Sequence, residues 1–154
     1  MNHIKFTCAA VGIALFGTIA ATAQAAENYK VVDGTIPASL TGKAGNTENG
    51  KKVVIHRQKG NCLACHVMPI PEQPFHGHVG PDLSDIGSRA KPAELRARIV
   101  DPKVINPHTI MPSFYRSTGL HGVAKNFKGK TMITAQEVED IIAYLMTLKG
   151  KYSN

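Results

Sequence analysis

Five consecutive residues carry the most readily named chemistry in this chain: Cys62-Leu-Ala-Cys65-His66. On a helical turn, positions i, i+3 and i+4 share one face. Two thiols and an imidazole at that spacing can meet one edge of a flat ring together. The sulfurs then bond to its two vinyl groups while the imidazole rises beneath a central iron. That is the attachment pattern of a c-type haem. Three other readings use the same residues. A thioredoxin-like dithiol wants a strand before it and a βαβ setting, and no such pattern precedes Cys62. Structural zinc needs a fourth ligand, and only the isolated His56, His76, His78, His108 and His121 are on offer. A 62–65 disulfide is the least eventful alternative. Covalent haem is the reading adopted.

Iron bound by His66 needs a sixth ligand, and a Met thioether there raises the reduction potential. Met68 follows His66 too closely to reach the opposite face of the ring. Met146 belongs to the last helical pattern, where packing explains it. Met111 lies in a Pro-bounded loop, Asn106-Pro-His-Thr-Ile-Met111-Pro112, which can fold over that face. Met111 is the expected ligand, with Met132 and His108 as alternatives. Upstream, Gly80-Pro81 can bring the Pro81 carbonyl to the ring N–H of His66 and fix its orientation. Arg89 reads either as a partner for a haem propionate or as a plain surface residue.

These residues need elements to hold them. A helical pattern runs from Thr47 to about Lys59, capped by Asn46 or Thr47, with Glu48 at the positive end of its dipole and Gly60 after it. Residues 67–90 read as loop, broken by Pro69, Pro71, Pro74, Gly77, Gly80, Pro81 and Gly87. A short helix follows, with Pro92 in its first turn and Leu95, Ile99 and Val100 on one face; Asp101-Pro102 stops it. Residues 103–131 read mostly as loop. The clearest helix opens on the capping box of Thr134 and Glu137, carries Val138, Ile141, Ile142, Leu145 and Leu148 as a stripe, and ends at Gly150. Gly50 and Tyr144 would let the first and last helices cross closely. No strand pattern and no internal repeat is visible. Short helices and long loops make a poor core unless a large apolar object fills the centre. The expected fold is therefore mainly α, a small monohaem domain whose helices pack around the covalent haem with long loops between them.

Length and composition agree with one domain: 154 residues, 43% hydrophobic, 19% charged and no Trp. The net charge of +7 comes from scattered residues such as Lys51, Lys52, Arg57, Arg96, Arg98, Lys125 and Lys128. No basic run is dense enough for a nucleic-acid arm, and the charge suits steering toward an acidic protein. Residues 1–25 read as a signal peptide. Lys5 precedes an apolar run from Ala9 to Ala20, and Ala23-Gln24-Ala25 offers small residues for cleavage near Ala25. The run falls short of the ~20 residues that span a bilayer, so no membrane anchor is expected after cleavage. Cleavage also removes Cys8 and leaves Cys62 and Cys65 alone. Residues 26–46 read as an extended arm before a domain of residues 47–150.

The order helix, CxxCH, Gly-Pro, Met-Pro, helix resembles class I cytochrome c. Finer features resemble the SoxX subunits of SoxAX cytochrome complexes. They are Gly60-Asn-Cys-Leu-Ala-Cys-His66, the 69–78 insertion before Val79-Gly-Pro81, Leu95-Arg-Ala-Arg-Ile-Val-Asp101, Ile105-Asn-Pro-His-Thr-Ile-Met-Pro112 and Thr134-Ala-Gln-Glu-Val-Glu-Asp-Ile-Ile-Ala-Tyr-Leu145. The resemblance implies a periplasmic electron-transfer subunit with one haem c, joined by thioethers at Cys62 and Cys65 and ligated by His66 (proximal) and Met111 (distal). It further implies a SoxA-like haem partner, a complex acting as an L-cysteine S-thiosulfotransferase that conjugates thiosulfate to a cysteine of the SoxYZ carrier, and a soluble cytochrome that accepts the electrons. This chain would then be the electron carrier, with the sulfur chemistry on another subunit. The alternative function is a freestanding monohaem shuttle.

Overall fold

The structure, a computed structural model, describes residues 29–150; the expected signal peptide lies outside them. Four α-helices are present among the described residues: α1 (Thr47–Ile55), α2 (Ile86–Arg89), α3 (Pro92–Val100) and α4 (Ala135–Leu145). Single 3₁₀ turns occur at Cys62–Ala64, Pro102–Val104 and Lys125–Phe127. The only β-pairing described is an isolated bridge between Val32 and Thr35. The mainly helical, loop-rich architecture is the one expected.

α4 forms where the capping box placed it. Thr134 Oγ1 accepts the Glu137 N–H at 3.2 Å and Glu137 Oε2 accepts the Thr134 N–H at 2.8 Å. Its stripe of Val138, Ile141, Ile142 and Leu145 is buried, each side chain stabilising the fold by about 1.5–3 kcal/mol. The opposing surface comes from α1 (Val53, Val54) and α3 (Leu95, Ile99, Val100). α1 and α4 cross at a glycine, as expected. A Cβ on Gly50 would overlap the Asp140 carbonyl and lie 2.9 Å from Tyr144 Cβ. Gly45 sits equally tight, with Ala143 Cβ 2.9 Å from where its own Cβ would be.

α1 and α4 both stop earlier than the sequence pattern suggests. α1 ends at Ile55, where His56 turns extended (ψ 115°) and its carbonyl accepts the N–H groups of Lys59 and Asn61. Gly60 is therefore no helix cap. Its N–H reaches the Val53 carbonyl at 3.2 Å, and a Cβ there would approach that oxygen to 2.7 Å. α4 ends at Leu145 rather than Gly150 because α2 takes over the exit. Gly87 donates to the Leu148 carbonyl at 2.8 Å and packs against the Leu145 and Met146 carbonyls. That four-residue helix lies in what the sequence showed as loop.

The described part of the arm, residues 29–46, is packed down. Val32 and Thr35 exchange backbone hydrogen bonds at 2.8 and 2.9 Å around Asp33 and Gly34, both at positive φ. Ile36 is fully buried, and its carbonyl accepts Arg96 Nη1 at 2.8 Å. Leu40 N–H donates to Glu139 Oε1 at 2.8 Å. Arg96 and Glu139, both buried, close a bidentate pair at 2.8 Å and 2.8 Å. Arm, α3 and α4 thus meet at one ion pair.

Candidate functional site

The short helix stop after α1 sets up the CxxCH turn. Asn61 adopts a left-handed conformation (φ 45°), which turns the chain back on itself. The N–H groups of Cys65 and His66 then both donate to the Cys62 carbonyl, at 3.1 and 2.9 Å. One helical turn therefore presents both sulfurs and the imidazole together, as the spacing requires. Neither cysteine is in a disulfide. Burial pushes the Cys62 thiol up to about 12. A dithiol oxidoreductase needs the opposite, a stabilised thiolate. Among the described residues no three His, Cys, Asp or Glu side chains gather in a metal-binding cluster.

All three side chains line a cavity of about 590 Å³, within the ~300–1,000 Å³ range of cofactor pockets. Its walls are mostly apolar, with Leu83, Ile86, Leu95, Ile99, Phe114 and Leu145 among them. The expected second-sphere contact of the histidine is present. His66 Nδ1 lies 2.7 Å from the Pro81 carbonyl oxygen. A carbonyl only accepts, so Nδ1 carries the proton and Nε2 keeps its lone pair for a metal. Gly80 makes this possible: a Cβ there would sit 2.6 Å from Nδ1, and the glycine N–H is held by the Cys65 carbonyl at 2.7 Å. Two unbonded sulfurs, an imidazole with a free Nε2 and an apolar chamber form a donor set that fits a covalent haem.

Two of the expected candidates for a sixth ligand, Met111 and Met132, line the cavity, and Met68 lines the smaller recess beside it. Met111 is half-buried, lines the same cavity as His66, and also lines a smaller recess behind it. Met132 touches the main cavity only. His108 is exposed and is not among the cavity residues. Met68 is fully buried in the core and Met146 caps α4. Arg89 reaches the cavity wall but is engaged: Nε donates to Asp85 Oδ1 at 2.7 Å and Nη2 donates to the Asp82 carbonyl. Arg98, which the sequence did not single out, lines the cavity too, its Nη1 held by the Glu94 carbonyl at 3.2 Å. Its position on the α3 face of Leu95 and Ile99 was the available signal.

Comparison with known proteins agrees with this chemistry. The cytochrome c family model matches residues 47–149. A chain in the crystal structure of SoxXA from P. pantotrophus is similar, with a TM-score of 0.73 and 35% identity over 79% of this chain and 95% of that one. No curated protein matches. The chain belongs to the cytochrome c family, as a SoxX-like class I member that carries covalent haem c.

Proposed function

We propose that the chain is the electron-transfer subunit of a SoxAX-type complex, exported after cleavage near Ala25 to act in the periplasm. Cys62 and Cys65 hold the haem by thioethers, His66 Nε2 is the proximal ligand and Met111 the distal one. Bound haem supplies a one-electron Fe(III)/Fe(II) couple. His66 keeps its ring in one orientation and one tautomer through Pro81, which would hold Nε2 toward the iron. The thioether of Met111 favours the reduced state relative to a second histidine. Leu83, Leu95, Ile99 and Phe114 give the cavity that would hold the haem an apolar lining. The observation that carries the reading is the placement of His66, tautomer-locked, and Met111 on one cavity behind a CxxCH turn.

The likeness to a SoxXA chain supports a SoxA-like haem subunit as partner. Both described cysteines serve the haem, so the thiosulfate conjugation to the SoxYZ carrier falls to that partner, and the overall activity is that of an L-cysteine S-thiosulfotransferase. Electrons leave this chain to a soluble cytochrome. Two measurements test the proposal together. The exported protein should be red, heavier than its peptide by one haem, and should co-purify with a second haem subunit from its native source. Met111→Ala should keep the haem attached while the oxidised spectrum changes and the potential falls. A red protein that purifies alone would assign it as a freestanding shuttle, and an unchanged Met111→Ala spectrum would remove Met111 as ligand.

A further inference from the structure

The loop that carries Met111 is open to solvent. His108 and Ile110 are exposed, Ile110 by 80%. Yet a distal ligand must stay in place through both oxidation states. The buried carboxylate of Asp101, at the C-terminal end of α3, faces this loop's stem. Its Oδ1 accepts the Ser113 hydroxyl at 2.7 Å and the Lys103 N–H at 3.3 Å, and its Oδ2 accepts Arg116 Nη1 at 2.8 Å. Lys103 then reaches across the loop, its ammonium 3.4 Å from the carbonyls of both Thr109 and Met111. Thr109 Oγ1 accepts the Met111 N–H at 3.2 Å. Beyond Ser113, the Phe114 and Tyr115 N–H groups are held by the Ile99 and Val100 carbonyls of α3, at 3.1 and 3.3 Å. The backbone on both sides of Met111 is thus tied to the end of one helix.

We propose that Asp101, with Ser113, Arg116 and Lys103, is a distal-loop clamp that positions Met111 and keeps outside ligands from the sixth coordination site. Asp101 is the centre because its one side chain holds donors from both the segment before and the segment after the methionine. One carboxylate binds three donors from residues 103, 113 and 116, and charge-assisted bonds of this kind are about twice as strong as neutral ones. Cutting it frees the stem of the loop without touching the haem attachment, the histidine or the α1–α4 crossing. The proposal rests on Met111 being the distal ligand.

The test follows the haem-loaded, oxidised full chain with imidazole as an entering ligand, read in the visible spectrum together with the sulfur-to-iron charge-transfer band. Asp101→Ala should bind imidazole at least tenfold faster than the parent and weaken that band. Asp101→Asn, which keeps a carbonyl acceptor for Ser113 but no charge for Arg116, should fall between. Asp140→Asn, a lesion at the remote α1–α4 crossing, should lower stability while leaving the imidazole rate within twofold. If Asp101→Ala yields no haem protein, the double variant Ser113→Ala/Lys103→Met is read by the same criteria. Rates within twofold of the parent in the clamp variants would overturn the proposal, as would an equal acceleration in Asp140→Asn. Met111→Ala separates the two layers: it should abolish the band, and a band that survives overturns the ligand assignment and the clamp with it.

Discussion

Replacing Arg96 by Met isolates the energetics of the arm, α3 and α4 in one lesion. Glu139 is 5% exposed and its carboxylate has three donors: Arg96 Nε and Nη2, and the Leu40 N–H. Removing the guanidinium leaves a buried charge with one backbone donor, a loss of about 3–5 kcal/mol. It also strips the Ile36 carbonyl of its partner. The double variant Arg96→Met/Glu139→Met removes the charge as well as the pair. Exchanging a buried ion pair for apolar groups is neutral or favourable by roughly 1–4 kcal/mol. Against that stand two orphaned backbone groups, Ile36 C=O and Leu40 N–H, at about 1–3 kcal/mol each. The double variant should therefore cost about 1–3 kcal/mol, less than Arg96→Met alone. Urea unfolding of the haem-loaded protein, followed by circular dichroism and by the visible spectrum, measures both. With a urea slope of about 1–3 kcal/mol/M, the single variant's midpoint should fall by an amount on the order of 2 M. A double variant that loses as much as the two single variants summed would refute the coupling. So would an Arg96→Met loss below about 1 kcal/mol.

Gly50→Ala should part α1 from α4, because its methyl has no room beside the Asp140 carbonyl; overpacking of about 1–3 kcal/mol or more should lower the melting temperature with the visible spectrum unchanged. Met132→Leu and His108→Ala should each leave the iron's ligation spectrum as in the parent, in contrast to Met111→Ala. Acid should destabilise the fold through Asp140 and Glu137. Burial alone would raise both carboxyls, but the Asn46 N–H with the Gln136 and Asn49 amides outweighs it for Asp140, and Lys59 with Thr134 outweighs it for Glu137, so both are held below their ordinary values. A carboxyl lowered by folding stabilises the protein above its unfolded value, and that contribution is lost as pH falls through the folded one. Unfolding midpoints should thus drop below about pH 4, and less steeply in Asp140→Asn.

The features legible in the sequence are those encoded within a few residues. Thr134 and Glu137 announce α4, Pro92 announces α3, and Cys62-x-x-Cys65-His66 announces the haem turn, because each signal is a local hydrogen-bond or spacing requirement. The Pro81 carbonyl on His66 was readable for the same reason, a Gly-Pro pair leaving few paths over the ring. Gly50 and Gly80 were legible in their tertiary roles, but two other glycines misled. Gly60 and Gly150 resembled helix ends, while Gly60 in fact admits the Val53 carbonyl and Gly87 receives the end of α4. Arg89 reads either as a propionate partner or as a surface residue, and its contacts with Asp85 and the Asp82 carbonyl had no signal in the sequence. Asp101 and the Arg96–Glu139 pair left no pattern to find, since Asp101's partners lie at irregular spacings along a loop and those of Arg96 and Glu139 converge from segments far apart in the chain.

The two glycines after the CxxCH turn have a consequence for what can change in this molecule. Gly77 is pinned by the Leu63 carbonyl at 2.8 Å and Gly80 by that of Cys65, and both lie flush against the turn where no side chain fits. Met68 and Ile70 are anchored in the interior at the other end. Between these moorings residues 71–75 run over the surface, with Phe75 87% exposed and Glu72 paired with Lys51 of α1. Closing a longer loop costs little, about 0.6 kcal/mol per doubling of its length. The segment can therefore be lengthened or given a fluorophore while the Gly77 and Gly80 hydrogen bonds keep the turn that carries His66 in place, which makes it a handle for tethering this protein to an electrode.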